Sequence, residues 1–168
     1  SITGGTMPIA LTVATDDIYT AFYDDWSALK TFFHGHSYTA NPLACAVACA
    51  TLDILERENM PASRAGVIAH FHDALDGLAA NAWVGDIRYL GFVGAVDIVL
   101  DRAAHTPLPE GARLSWSLHR AGLRHGLVLR PLGNMVYFFL PMTVTCEEID
   151  EITRRFTDAV TDALDEID

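Results

Sequence analysis

The stretch Phe32-Phe33-His34-Gly35-His36-Ser37-Tyr38-Thr39-Ala40-Asn41-Pro42 gathers two imidazoles, several hydroxyls, aromatic rings and a glycine directly ahead of an apolar run of small residues. Asn41 suits a helix N-cap, and Pro42 suits the first helical position. A loop at a helix start presents free backbone N–H groups at the positive end of the helix dipole, which favours an anion such as a phosphate. Many helices begin this way, so the position permits anion binding without specifying it. A second chemical group is Arg130, ahead of Pro131-Leu132-Gly133-Asn134. A planar guanidinium matches a carboxylate in bidentate fashion. Taken alone, however, an exposed ion pair explains such an arginine more often than a ligand does.

Other groups carry less chemistry. Cys45 and Cys49 lie four apart on the helix of small residues, with Cys146 distant. Buried small side chains account for the pair better than a metal does. An odd cysteine count without a framework spacing points to a reducing, cytoplasmic setting. His70 and His72 are two apart and cannot share a helix face, so they read as surface or boundary residues. Lys30 is the single lysine, against ten arginines, and reads as a solvated side chain. The net charge of −11 argues against a nucleic-acid partner. No apolar run approaches the roughly 20 residues of a membrane span.

The elements that must position these groups follow from periodicity. Pro8 to Ala14 is expected as a short buried strand. Thr15 is expected to cap a short helix over Asp16 to Phe22, followed by a polar-aromatic loop to Lys30. The helix from Leu43 to Glu58, small-sided on nearly every face, is expected to pack all round and to bridge two parts of the fold. Asn59-Met60-Pro61 ends it. A second helix is expected over Ala62 to Ala80, with Val67, Ile68, Phe71, Leu75 and Leu78 inward. Strands are expected at Asp86–Tyr89 and Phe92–Leu100, kinked at Gly91. A loop covers Asp101 to Gly111, and a helix Ala112 to His125 with Gly126 at its C-terminal end. Leu127–Arg130 and Met135–Leu140 are expected as strands. Thr145 and Glu148 spell a capping box for a last helix. The domains implied are a closing segment, 1–41, a bridging helix, 42–59, and a small α/β sandwich with a largely antiparallel sheet, 60–168. The start at Ser1 without Met reads as the C-terminal part of a longer protein.

In order, Thr3-Gly4-Gly5, His34-Gly35-His36-Ser37-Tyr38, Asn41-Pro42-Leu43-Ala44-Cys45-Ala46 and Arg130-Pro131-Leu132-Gly133-Asn134 resemble the C-terminal half of a class III aminotransferase. The resemblance covers essentially all 168 residues. Phe32 to Thr39 and Leu129 to Asn134 are most similar to the branch that acts on 8-amino-7-oxononanoate in biotin synthesis. The resemblance implies an α/β fold, the end of the large domain of a fold type I enzyme plus its small α/β sandwich. It implies pyridoxal 5'-phosphate as cofactor and a homodimer with shared active sites. The small-molecule substrates are a keto acid and an amino donor, S-adenosylmethionine or lysine. The Schiff-base lysine then stands just before Ser1, and Lys30 does not match it. His36 and Ser37 match the pair that reaches the cofactor phosphate of the other subunit. Gly35 matches a residue lining the substrate site, and Arg130 the arginine that binds the keto-acid carboxylate. His34 remains structural. Two further readings stay open: another class III enzyme acting on ω-amino acids, and a non-catalytic dimerisation fragment.

Overall fold

The computed structural model describes residues 2–60 and 62–167. The chain divides into two compact units, Ser1–Met60 and Pro61–Asp168. The first holds helix α1, Asp16–Ala21, and helix α2, Pro42–Arg57. Asn41 caps α2 through its side-chain oxygen, which accepts from Leu43 N–H at 3.1 Å, and Pro42 takes the first turn, as expected.

Three expectations fail in this unit. Residues 8–14 form no strand, and Val13 is 93% exposed. The apolar run has no partner strand there to satisfy its backbone, so hydrophobicity alone does not make it a strand. Thr15 precedes α1 but makes no side-chain cap. Helix α2 buries only Ala44 and Ala48, while Leu43, Leu52 and Ile54 are exposed. Cys49 is exposed as well, and Cys45 is half-buried. Small side chains permit close packing but do not supply the neighbour.

The second unit is a two-layer α/β structure. Strand β1, Val84–Leu90, turns at Gly91 into β2, Val93–Asp101. Gly91 has φ +56°, which a glycine adopts without penalty. Along its other edge β2 pairs first with β4, Met135–Phe139, and then with β3, Thr106–Pro107, a two-residue strand inside the expected loop. All pairings are antiparallel. Helices α3, Ala65–Gly77, α4, Leu114–Arg124, and α5, Cys146–Asp165, supply the other layer.

Period-two alternation puts Val96, Ile98, Val136 and Phe138 inward. Phe71, Leu75, Leu118, Ile149 and Phe156 meet them from the helices. Phe138 and Phe156 stack edge to face at 5.0 Å. The Thr145–Glu148 capping box is present at the start of α5.

The segment 127–130 corrects a further expectation. It joins no sheet; only Leu132 and Met135 form an isolated bridge beside it. Its alternation is real, since Leu129 is buried and Val128 is exposed. The inward residues face a helix instead. Leu127 N–H donates to Gly122 C=O of α4 at 2.8 Å, so the backbone is satisfied outside the sheet.

Candidate functional site

In the first unit the chemistry-bearing loop folds as a tight turn at the head of α2. His36 N–H donates to Thr39 Oγ1 at 3.1 Å, and Thr39 N–H donates to His36 C=O at 3.0 Å. Ala40 then takes φ +55° before the Asn41 cap. This local bonding leaves three donors open: the Ser37 hydroxyl and the Ser37 and Tyr38 backbone N–H groups have no hydrogen-bond partner among the described residues. They sit one turn ahead of a helix of 16 residues, whose dipole adds to their pull on an anion.

Beside the turn runs a groove of about 940 Å³. Met7 to Thr12 form one wall, and His36, Tyr38, Asn41 and Ala44 the other. The Thr3 hydroxyl, buried, donates to Met7 C=O at 2.6 Å and anchors the first wall. His36 therefore faces the groove, while its exposed sequence neighbours Gly35 and Ser37 do not line it. At Gly35 an added Cβ would lie 3.9 Å from Thr39 Oγ1, an ordinary contact. Packing within this unit does not require a glycine there.

Lys30 does not line the groove. It pairs with Asp24 at 2.6 Å, and its ammonium, followed by the Asp25 backbone N–H, holds the Asp24 carboxyl below its usual range. The described residues contain no group of three metal-ligating side chains.

Arg130 belongs to the second unit. It is exposed, and its guanidinium has no ion pair or hydrogen bond among the described residues. The surface ion pair open to it from the sequence is not formed. Its backbone is held tightly nonetheless. His119 Nδ1 donates to Leu129 C=O at 2.9 Å, and Ser115 Oγ donates to Gly133 C=O at 2.8 Å. Asn134 Nδ2 donates to Leu108 C=O at 3.1 Å. Ser115 and His119 escaped the sequence reading. Their four-residue spacing on α4 was the available signal, but nothing in it named the partner segment.

Comparison with known proteins now bears on the anion-seeking turn of the first unit and, separately, on the free guanidinium of the second. The family profile described as Aminotransferase class-III matches residues 1–160. This chain belongs to the class III aminotransferases.

Among curated class III relatives, the adenosylmethionine-8-amino-7-oxononanoate aminotransferase of Geobacter sulfurreducens is 42% identical over 149 residues, which is 89% of this chain and 33% of that protein. The enzyme of the same name from Helicobacter pylori is 37% identical over 152 residues. The crystal structure of the Methanocaldococcus jannaschii enzyme of that name superposes with a TM-score of 0.89 at 34% identity, over 95% of this chain and 36% of that one. An (S)-enantioselective ω-transaminase from Thermomicrobium roseum gives a TM-score of 0.83 at 29% identity, over 97% and 36% of the two chains. The chain spans about a third of the length of the relatives it matches. The α/β class III fold expected from the sequence is thereby established.

Proposed function

We propose that this chain is the C-terminal part of a pyridoxal 5'-phosphate-dependent aminotransferase that converts 8-amino-7-oxononanoate to 7,8-diaminononanoate in biotin synthesis. The observation that carries the reading is Arg130, an exposed guanidinium without a partner among the described residues, on a backbone held from both sides. Such a group is built to receive a carboxylate rather than to stabilise the fold. The relatives' shared name supplies the identity of the keto acid that would bring it.

The residues present fit the cofactor. A phosphate needs several N–H or O–H donors at once, and the Ser37 hydroxyl with the Ser37 and Tyr38 amides offers three ahead of α2. The cofactor, when bound, supplies the electron sink that lets a proton move between carbon atoms. This chain's residues bind and orient. His36 and Ser37 hold the phosphate belonging to the neighbouring subunit of a homodimer. Gly35 leaves room for the substrate, and Arg130 fixes its far carboxylate, which is positioning rather than bond chemistry. The relatives' shared name favours S-adenosylmethionine as the amino donor.

The test is turnover by the full-length enzyme of 8-amino-7-oxononanoate with S-adenosylmethionine and, separately, with lysine. Diamine formed with the first supports the reading; diamine with lysine alone changes the donor; none with either overturns it. Arg130→Ala should raise KM for the keto acid roughly 100-fold, as expected for a charge-assisted bidentate pair, with the donor KM much less affected. Equal rises for both substrates would remove Arg130 from its assigned role. The likeness to the ω-transaminase of Thermomicrobium roseum favours a second reading, transfer from a simple ω-amine. Turnover of such an amine without turnover of the keto acid would select it.

A further inference from the structure

We propose that His119 and Ser115, one turn apart on α4, are positioning residues that aim Arg130 at the substrate carboxylate, an assignment that rests on the reading of Arg130 above. The Arg130 side chain is exposed and makes no hydrogen bond or ion pair among the described residues, so the backbone from Leu129 to Gly133 is what presents it. That backbone lies outside the sheet, apart from the Leu132–Met135 bridge. A loop free of the ladder needs other restraints to present a group reproducibly.

Among the described residues, every side-chain donor to Leu129–Gly133 comes from α4. His119 Nδ1 donates to Leu129 C=O at 2.9 Å, one residue before Arg130, and Ser115 Oγ donates to Gly133 C=O at 2.8 Å, three residues after it. The spacing of four on the helix puts both donors on one face. The approach is close because Gly122 lacks a side chain: a Cβ there would stand 2.9 Å from Leu129 Cγ and 3.0 Å from Leu127 O. Leu129 is 8% exposed and plugs into the core beneath. Pro131 fixes φ directly after Arg130. His119 is half-buried and its bond is partly shielded from water, so its loss is not readily made good by solvent.

The test compares two amides at one site in the full-length enzyme. In His119→Asn the amide nitrogen falls where Nδ1 was; in His119→Gln it falls beyond it. His119→Gln should raise KM for 8-amino-7-oxononanoate roughly tenfold while kcat and the donor KM stay within about twofold, and His119→Asn should restore most of the loss. Binding of nonanoate, which shares the far carboxylate, should weaken in the same order by calorimetry. Ser115→Ala, at the other end of the clamp, should move the same constants in the same direction by a smaller factor. Equal effects of Asn and Gln, or equal rises in both KM values, would reduce His119 to a packing residue and overturn the proposal. Arg130→Ala runs alongside. If it leaves the keto-acid KM unchanged, the carboxylate role of Arg130 fails; if it raises that KM and His119→Gln does not, only the positioning role fails.

Discussion

Arg130 and Arg88 show how the same side chain takes opposite parts. Arg88 stands on β1 opposite Ala95, bonds Asp97, the diagonal neighbour on β2, at 2.7 and 3.0 Å and also pairs with Asp86. Its positive charge is spent within the fold. Arg130 has no acid between Val128 and Asn134, and its neighbours Leu129 and Gly133 are held by the uncharged side chains of His119 and Ser115, so its charge stays open to a ligand. Arg154 and Arg155 are spent as well, both on Glu151 of α5. The Arg154 guanidinium, then that of Arg155, brings the Glu151 carboxyl down to about 2 from an ordinary 4.5. Because the folded-state value lies below the unfolded one, the associated stability is complete above about 4.5 and is lost as pH falls from there toward 2. Carboxyl resonances followed through an acid titration should show Glu151 still ionised at pH 3.5, where a free glutamate is mostly protonated. A midpoint near 4.5 would remove the two arginines as its partners.

Elements obeyed their local signals where a signal named its own partner. The capping box of α5 is such a case, because Thr145 and Glu148 satisfy each other's backbone N–H groups at 3.2 and 2.9 Å. Thr145→Ala should cost about 1 kcal/mol in a urea melt of the second unit's unfolding, with Thr145→Ser close to neutral. The hairpin at Gly91 and the inward face of α4, Leu114, Leu118 and Ala121, are further cases. The segments 8–14 and 127–130 are the opposite. A strand is completed by a neighbour elsewhere in the chain, and apolar alternation does not say whether that neighbour is a strand or a helix. For 127–130 it is α4, and that substitution places Arg130 on a loop held by side chains rather than on a sheet.

At the scale of the whole molecule, the proposed cofactor arm lies in the first compact unit and its sharing across a homodimer is the part to test. That sharing can be tested by mixing variants. One subunit carries Ser37→Ala; the other lacks the cofactor-anchoring lysine of the full-length enzyme. If Ser37 serves its neighbour, the mixed dimer contains one complete site, and its cofactor affinity and activity should reach about half those of the wild-type dimer on statistical grounds. If Ser37 serves its own subunit, no site is complete and the mixture should be no better than either variant alone. Ser37→Ala by itself should weaken cofactor retention on gel filtration roughly tenfold, the loss of one hydrogen bond to a charged group.

The sequence by itself determined the residue types and their local frames: the Asn41 cap before Pro42, the turn holding His36 and Ser37, the Gly91 hairpin, the core faces of α3, α4 and α5, and the resemblance from which the class was named. Each rests on contacts within a few residues, or on a motif whose letters stand together. Tertiary structure alone decided three things. It left Arg130 unpaired among the described residues, although an arginine there could as well have joined a surface ion pair. It replaced a strand with the α4 clamp of Ser115 and His119. It also left much of α2 exposed, with Cys49 among its open residues. All three depend on which distant group arrives beside a residue, and spacing along the chain carries that information only where the partner is also local.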